Sequence, residues 1–210
     1  MNRREFVRLS ALVGGGLIAA EWLFDTQIAS AATEVYRSSK GTLKLKLIAD
    51  EQLIKYGKSK RWAMTYNGVF PAPTLRAKPG DTIQITLVNK LNQPTNLHTH
   101  GLHTSPSGNG DNPLLMIAPG ETFEYSIKIP LTQKSGTFWY HPHHHELSAG
   151  QVASGLAGAL IIEDTLDALG VLSSATERLV VLPGIHDQIG THTILIPSKN
   201  LDGSYHPIQA

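Results

Sequence analysis

Short segments in which apolar and polar residues alternate run along most of the 210-residue chain. The clearest is residues 43–47, where leucines alternate with lysines, a period of two that is typical of a strand with one buried face. Asn67-Gly68 is a strong signal for a tight turn between strands. Further strands are predicted at 61–66, 82–89, 122–129, 136–141 and 157–163. This spacing, with no helical periodicity before about residue 165, predicts an all-β sandwich or barrel.

Composition limits the chemistry that the chain can carry. With 18 basic and 17 acidic residues the net charge is +1, so no strong field attracts nucleic acid or an anionic membrane. The sequence contains no cysteine, which excludes a disulfide, a thiol nucleophile and a thiolate metal ligand. Any metal site in these residues must therefore use imidazole or carboxylate groups.

The first 32 residues have the pattern of a signal peptide. Arg3-Arg4 precedes an apolar run at residues 9–20, and Ala29-Ser30-Ala31 offers a small-residue cleavage site. The run is too short to span a bilayer, so we expect no stable membrane anchor, which is the alternative interpretation. The segment predicts a twin-arginine signal and an exported or periplasmic protein.

Two further segments are expected after the signal. Residues 33–165 carry the predicted strands and form one domain. Residues 166–210 are expected to be a linker and the truncated start of a second domain, with apolar strands at 178–183 and 193–197. Two strands alone form no independent core.

Seven of the ten histidines fall into two clusters, each containing a His-x-His pair: His98 with His100, and His141 with His143. In a strand, residues i and i+2 share a face, so each pair presents two imidazoles side by side. We expect each pair to terminate a strand, with residues 82–89 leading to the first. Two such pairs favour a multinuclear metal site over chance surface or core histidines, and copper, zinc, iron and nickel all suit imidazole.

At these residues the chain resembles the multicopper oxidase family. Residues 96–102 (Asn-Leu-His-Thr-His-Gly-Leu) and 136–143 resemble its first two copper motifs, and residues 151–164 continue the second. The resemblance covers roughly residues 42–165 and is strongest to the bacterial laccase and cuprous-oxidase branch. It implies a cupredoxin-like Greek-key β-sandwich or barrel, a plastocyanin-like domain, followed by the incomplete start of a second cupredoxin domain.

The resemblance also implies residue roles. His98 would bind the type 2 copper of a trinuclear cluster, and His100, His141 and His143 would bind its type 3 pair. Asp111 matches an acidic residue that orients copper-bound water and passes protons to reduced oxygen. A simple turn aspartate is the alternative for Asp111.

Two positions depart from the family pattern, and one further histidine matches a family residue that is not a ligand. Thr99 replaces a common tryptophan and removes a large packing surface beside the ligands, and Glu146 replaces a usual glycine. His145 matches a family histidine that is not a ligand, for which we expect a hydrogen bond near the cluster.

The family reaction oxidises a reducing substrate at a type 1 copper and reduces O2 to water. A type 1 copper needs a cysteine thiolate with two histidines, and a trinuclear cluster needs four His-x-His pairs, whereas this sequence has no cysteine and two pairs. We therefore predict the N-terminal part of a multicopper oxidase that supplies half of the trinuclear site and is inactive in isolation. The alternatives are a half-enzyme completed by a C-terminal chain or a second copy, and a periplasmic copper-binding or scavenging module without oxidase activity.

Overall fold

A computed structural model describes residues 34–163 except residue 57, together with the isolated residues 179 and 181. Within these residues the chain forms nine strands and one short helix, arranged as a five-stranded and a four-stranded sheet. The elements are β1 (Val35–Arg37), β2 (Thr42–Tyr56), β3 (Ser59–Tyr66), β4 (Thr74–Ala77), β5 (Thr82–Asn89), β6 (His98–His100), β7 (Thr122–Lys128), β8 (Gly136–His141), α1 (Ser148–Ala153) and β9 (Gly158–Ile162).

The four-stranded sheet has the order β3-β2-β5-β7. The long strand β2 pairs in parallel with β5 along its first half and antiparallel with β3 along its second half. In β5 the side chains of Ile83, Ile85 and Leu87 are fully buried and alternate with more exposed positions. Alternating burial of this kind is what the period of two predicts for a sheet with one face on the core.

The five-stranded sheet has the order β1-β4-β9-β8-β6. Strand β6 lies at its edge and pairs antiparallel with β8, which in turn pairs antiparallel with β9. Both predicted His-x-His pairs therefore belong to the β6 edge of this sheet. The core fills the space between the two sheets.

Three fully or almost fully buried tyrosines lie in that core. Tyr140 donates its hydroxyl to the carbonyl of Pro73 at 2.7 Å, and Tyr125 accepts the amide of Leu97 at 2.9 Å. Gly158 faces the Tyr140 ring so closely that a Cβ there would lie 2.3 Å from it. Strand β9 can therefore pack against this tyrosine only with glycine at that position.

Most of the predicted strands are confirmed. Residues 82–89 and 136–141 have the predicted bounds, and Asn67 and Gly68 adopt the positive φ values of a tight turn, 59° and 73°. The all-β sandwich is confirmed as well. The predicted signal peptide (1–32) and second-domain segment (166–210) lie outside the described residues, apart from residues 179 and 181.

One expectation about the strands is wrong, and one strand, β4, is not predicted by the sequence pattern. The first histidine pair does not terminate β5, because the chain crosses to the other sheet after Asn89 and forms the separate strand β6. Strand β4 gives no alternating pattern, because all four of its residues are buried between two parallel neighbours. No helix among the described residues is long and apolar enough to cross a membrane.

Candidate metal centre

The pairing register of β6 and β8 places histidines of the two strands next to each other. His98 is paired with His141 across the antiparallel ladder, and His100 with Trp139. The rings of His98 and His141 lie 5.4 Å apart, and those of His100 and His141 lie 5.6 Å apart. We call His98, His100, His141 and His143 the histidine cluster.

Three members of the histidine cluster have ligand nitrogens close enough to share metal ions. One ring nitrogen from each of His98, His100 and His141 lies within 4.8 Å of the others. Nδ1 of His100 and Nε2 of His141 are 3.4 Å apart. Two imidazole nitrogens bound to one ion at about 2 Å in tetrahedral geometry are separated by about 3.3 Å. The His100–His141 pair therefore fits a single metal ion held between the two rings.

His143, the fourth predicted ligand, follows the end of β8 and is exposed, as His100 is. Its ring lies 5.2 Å from that of His98 and 6.2 Å from that of His141. Its backbone amide donates a 2.6 Å hydrogen bond to Oδ1 of Asn96. The structure thus brings His143 beside the other three histidines, but its ring nitrogens are not part of the tight group.

Asn96 is a site residue that the sequence analysis did not single out. Its side chain is fully buried, and its Nδ2 donates to the carbonyls of Pro113 and Leu115 at 3.1 and 3.0 Å. One amide side chain therefore connects the start of β6, the backbone of His143 and the loop after Asp111. Nothing in the sequence pattern marks this role, because an asparagine before a strand is also typical of an exposed turn.

Asp111 lies beside His98 of the cluster and is 5% exposed. Its Oδ1 is 2.9 Å from Nδ1 of His98, and its Oδ2 accepts the Thr99 hydroxyl at 2.6 Å. Burial raises the pKa of Asp111, but the hydrogen bonds from His98 and Thr99 outweigh it, so the pKa lies below its ordinary value. An ionised carboxylate only accepts hydrogen bonds, so Nδ1 of His98 is the donor in this contact and Nε2 is the nitrogen that a metal ion would bind.

The loop that carries Asp111 is held by its backbone. The Asp111 amide donates to the carbonyl of Ser105, and the Ser126 amide in β7 donates to the carbonyl of Asn109. At Gly110 a Cβ would lie 2.6 Å from the Ser105 carbonyl oxygen. Glycine at this position lets the loop close tightly enough to bring the carboxylate to His98.

His141 is the most buried member of the cluster, at 5% exposure. Burial, together with a smaller contribution from the neighbouring imidazoles, lowers the pKa of His141 to about 4, although a hydrogen bond to the Pro142 carbonyl raises it. Because that carbonyl, 2.8 Å away, accepts from Nδ1, the Nε2 lone pair points toward His100. His141 is therefore neutral near pH 7 and able to act as a ligand.

Trp139 forms a wall of the site. Its ring stacks on His141 at 3.9 Å and 21°, and on His100 at 5.1 Å and 29°. The indole is 37% exposed. It contacts both imidazoles, whose planes are tilted by 37° to each other.

Helix α1 supports the ligand strand from behind. Gln151 is fully buried, accepts the hydroxyl of Thr95 at 2.8 Å, and donates to the carbonyl of Pro94 at 2.7 Å. These two bonds fix the segment that enters β6. His145, by contrast, is 94% exposed and lies 3.8 Å from Glu146, so its expected hydrogen bond near the cluster is absent from the described contacts.

A two-sheet sandwich with two histidine strands paired at one sheet edge defines a cupredoxin-like metal-binding domain. The family model described as "Multicopper oxidase" matches residues 48–167, more than half of the chain. The chain therefore belongs to the multicopper oxidase family. Family membership implies copper, and copper accepts the imidazole nitrogens that the site presents.

Named relatives agree with this assignment. Multicopper oxidase mco of Staphylococcus haemolyticus (strain JCSC1435) is 44% identical over 100 residues, covering 48% of this chain and 22% of its own length. Copper resistance protein A of Escherichia coli is 34% identical over 164 residues, covering 77% and 26%. The solved multicopper oxidase of Campylobacter jejuni, described as a metallo-oxidase, has 35% identity and a TM-score of 0.58 over 65% of this chain and 30% of its own. The predicted cupredoxin-like fold is confirmed, and the chain spans about a quarter of the length of these two curated relatives.

Proposed function

We propose that this chain supplies half of a trinuclear copper site in a multicopper oxidase that couples oxidation of a reducing substrate to reduction of O2 to water. His98 would hold the type 2 copper, and His100, His141 and His143 would hold the type 3 pair. Bound copper would supply the one-electron chemistry and the affinity for O2. The observation that carries the proposal is the 3.4 Å approach of the His100 and His141 nitrogens, which suits a shared ion.

The protein's own groups bind and orient in this proposal. Asp111 keeps a proton on Nδ1 of His98, and the Pro142 carbonyl keeps one on Nδ1 of His141, so each ring offers Nε2. Trp139 restricts the rotation of His100 and His141. The family resemblance also implies that Asp111 orients water and passes protons. That role requires water to reach a carboxylate that is 5% exposed.

The other half of the site would come from residues beyond these 210. The sequence has two His-x-His pairs and no cysteine, so a thiolate-bound type 1 copper and two further pairs must be supplied elsewhere. A C-terminal chain would supply both, whereas a second copy of this chain would supply two histidine pairs but no thiolate. The reducing substrate would bind near that type 1 copper.

Copper titration of the purified chain tests the ligand set. We expect His98→Ala and His141→Ala to lower the amount of bound copper measured by elemental analysis after desalting. His145→Ala is the matched control, because this histidine is 94% exposed and its ring nitrogen lies 3.8 Å from Glu146. Unchanged stoichiometry in both ligand variants would refute the site.

A second measurement separates the proposed oxidase half from a copper-binding module. The copper-loaded chain should show no intense blue absorption and no O2 consumption with a phenolic or cuprous substrate. Adding a chain that contains the thiolate and the missing pairs should restore O2 consumption. Full copper binding with no restored activity would favour the module.

Export by the twin-arginine route is proposed from Arg3-Arg4 and the apolar run that follows. Replacing both arginines by lysine should retain the precursor in the cytoplasm. Fractionation of cells expressing each form measures this directly. Equal export of both forms would contradict the assignment.

A further inference from the structure

Thr99 lies between two ligands in β6, with its side chain fully buried on the opposite face from His98 and His100. Its hydroxyl donates to Oδ2 of Asp111 at 2.6 Å, and its amide lies 3.1 and 3.3 Å from Oδ2 and Oδ1. The hydroxyl bond is the shortest contact of the carboxylate. One residue thus holds Asp111 through two donor groups.

This double contact fixes the plane of the carboxylate. A carboxylate held by a single donor can rotate about its terminal torsion, which is broad and roughly two-fold. With Thr99 on Oδ2, the other oxygen points at Nδ1 of His98 at 2.9 Å. The tryptophan usual in the family at this position has no hydroxyl on its Cβ and would not make this contact.

We propose that Thr99 is a positioning residue that sets the tautomer of His98 through Asp111. The proposal rests on the proposed copper site, because the tautomer with hydrogen on Nδ1 is the one that leaves Nε2 for a metal ion. A ring nitrogen that donates to a carboxylate fixes both the tautomer and the orientation of a ligating histidine. Threonine in place of tryptophan thus removes a packing surface beside the ligands and adds a hydroxyl that orients His98 through Asp111.

The tautomer can be measured without copper. Long-range ¹H–¹⁵N correlation spectra of the metal-free chain at about pH 8, above the ordinary histidine pKa, distinguish hydrogen on Nδ1 from hydrogen on Nε2. We expect hydrogen on Nδ1 of His98 in the wild-type chain. Thr99→Val keeps the shape and removes the hydroxyl, and should give a mixture of tautomers. Thr99→Ser should restore the wild-type spectrum.

Thr104→Val is the matched control, because the Thr104 hydroxyl contacts the same oxygen of Asp111 at the longer distance of 3.4 Å. It should leave the tautomer unchanged. Should Thr99→Val fail to fold, Asp111→Asn provides the second test, since it should also abolish the preference for hydrogen on Nδ1. A His98 signal with hydrogen on Nδ1 in every variant would overturn the proposal.

Copper affinity gives an independent readout. Loss of a partner that orients a ligand typically weakens metal binding by about 10- to 100-fold, and we expect Thr99→Val to weaken Cu²⁺ binding by about tenfold. Thr99→Ser should bind as the wild type does. If the tautomers shift as expected but even the wild-type chain binds no Cu²⁺, the proposed copper site fails while the role of Thr99 stands. If Cu²⁺ binds equally to all forms, the role of Thr99 fails alone.

Discussion

The four-stranded sheet and the β6 edge of the five-stranded sheet are stabilised by different interactions. The four-stranded sheet is held by alternating aliphatic side chains, such as Leu45, Ile85 and Leu87, that bury apolar surface on one face. At the β6 edge of the five-stranded sheet the buried groups are largely polar, including Asn96 and Asp111. Apolar burial is non-directional and tolerates small shifts, whereas hydrogen bonds fix direction. The apolar core between the sheets supplies stability, and the β6 edge supplies the geometry that a metal site needs.

The sharpest test of this contrast is a cavity in the four-stranded sheet. Ile85→Ala should lower the free energy of unfolding by about 2–5 kcal/mol, since the side chain is fully buried. Urea unfolding followed by fluorescence measures the loss. Gln84→Ala, on the exposed face of the same strand, should stay within about 0.5 kcal/mol of wild type. Equal losses in both variants would contradict apolar burial as the source of stability.

A polar substitution at the β6 edge should lower stability less than Ile85→Ala does, but it should also weaken copper binding. Asn96→Ala leaves the His143 amide and the carbonyls of Pro113 and Leu115 without their partner. We expect a loss of about 1–3 kcal/mol, together with weaker copper binding at His143. Asn112→Ala, in the neighbouring loop, serves as the control and should retain copper. Full copper binding by Asn96→Ala would remove Asn96 from the site.

The buried tyrosines allow a finer comparison. Tyr140→Phe removes the hydroxyl that bonds the Pro73 carbonyl and should cost about 1 kcal/mol. The Tyr66 ring lies 5.6 Å away, and within the described part of the chain its buried hydroxyl has no hydrogen-bond partner. Tyr66→Phe should therefore be neutral or stabilising. Thermal unfolding of the two variants side by side decides, and a larger loss for Tyr66→Phe would reverse the assignment.

The smallest effect is expected at the outer strand of the five-stranded sheet. Arg37 pairs with Glu163, but its side chain is 59% exposed. Arg37→Ala should change stability by less than about 1 kcal/mol, and added salt should shrink the difference. Urea unfolding at low and high salt measures it. A loss as large as that of Ile85→Ala would mean that β1 contributes to the core.

The same contrast explains how much could be predicted from the sequence. The strands of the four-stranded sheet follow from their period of two, and the two histidine motifs were evident as spacing. The arrangement of residues at the β6 edge was only partly predictable. Neither the pairing of His98 with His141 nor the buried positions of Asn96 and Gln151 has a local signal, because each depends on contacts between residues far apart in the chain. Strand β4 was missed because complete burial removes alternation.

The antiparallel register of β6 and β8 also makes the joined metal site a property of the folded chain. The two nitrogens that approach to 3.4 Å belong to residues 41 positions apart, and β6 contributes only three residues to the ladder. An unfolded chain offers two separate histidine pairs, and only the folded chain offers the joined site. Copper would therefore bind the native state more tightly than the unfolded chain, raising stability by at most about 2.7 kcal/mol at a free concentration 100 times its Kd. Copper binding would then report that the edge strand β6 has paired with β8.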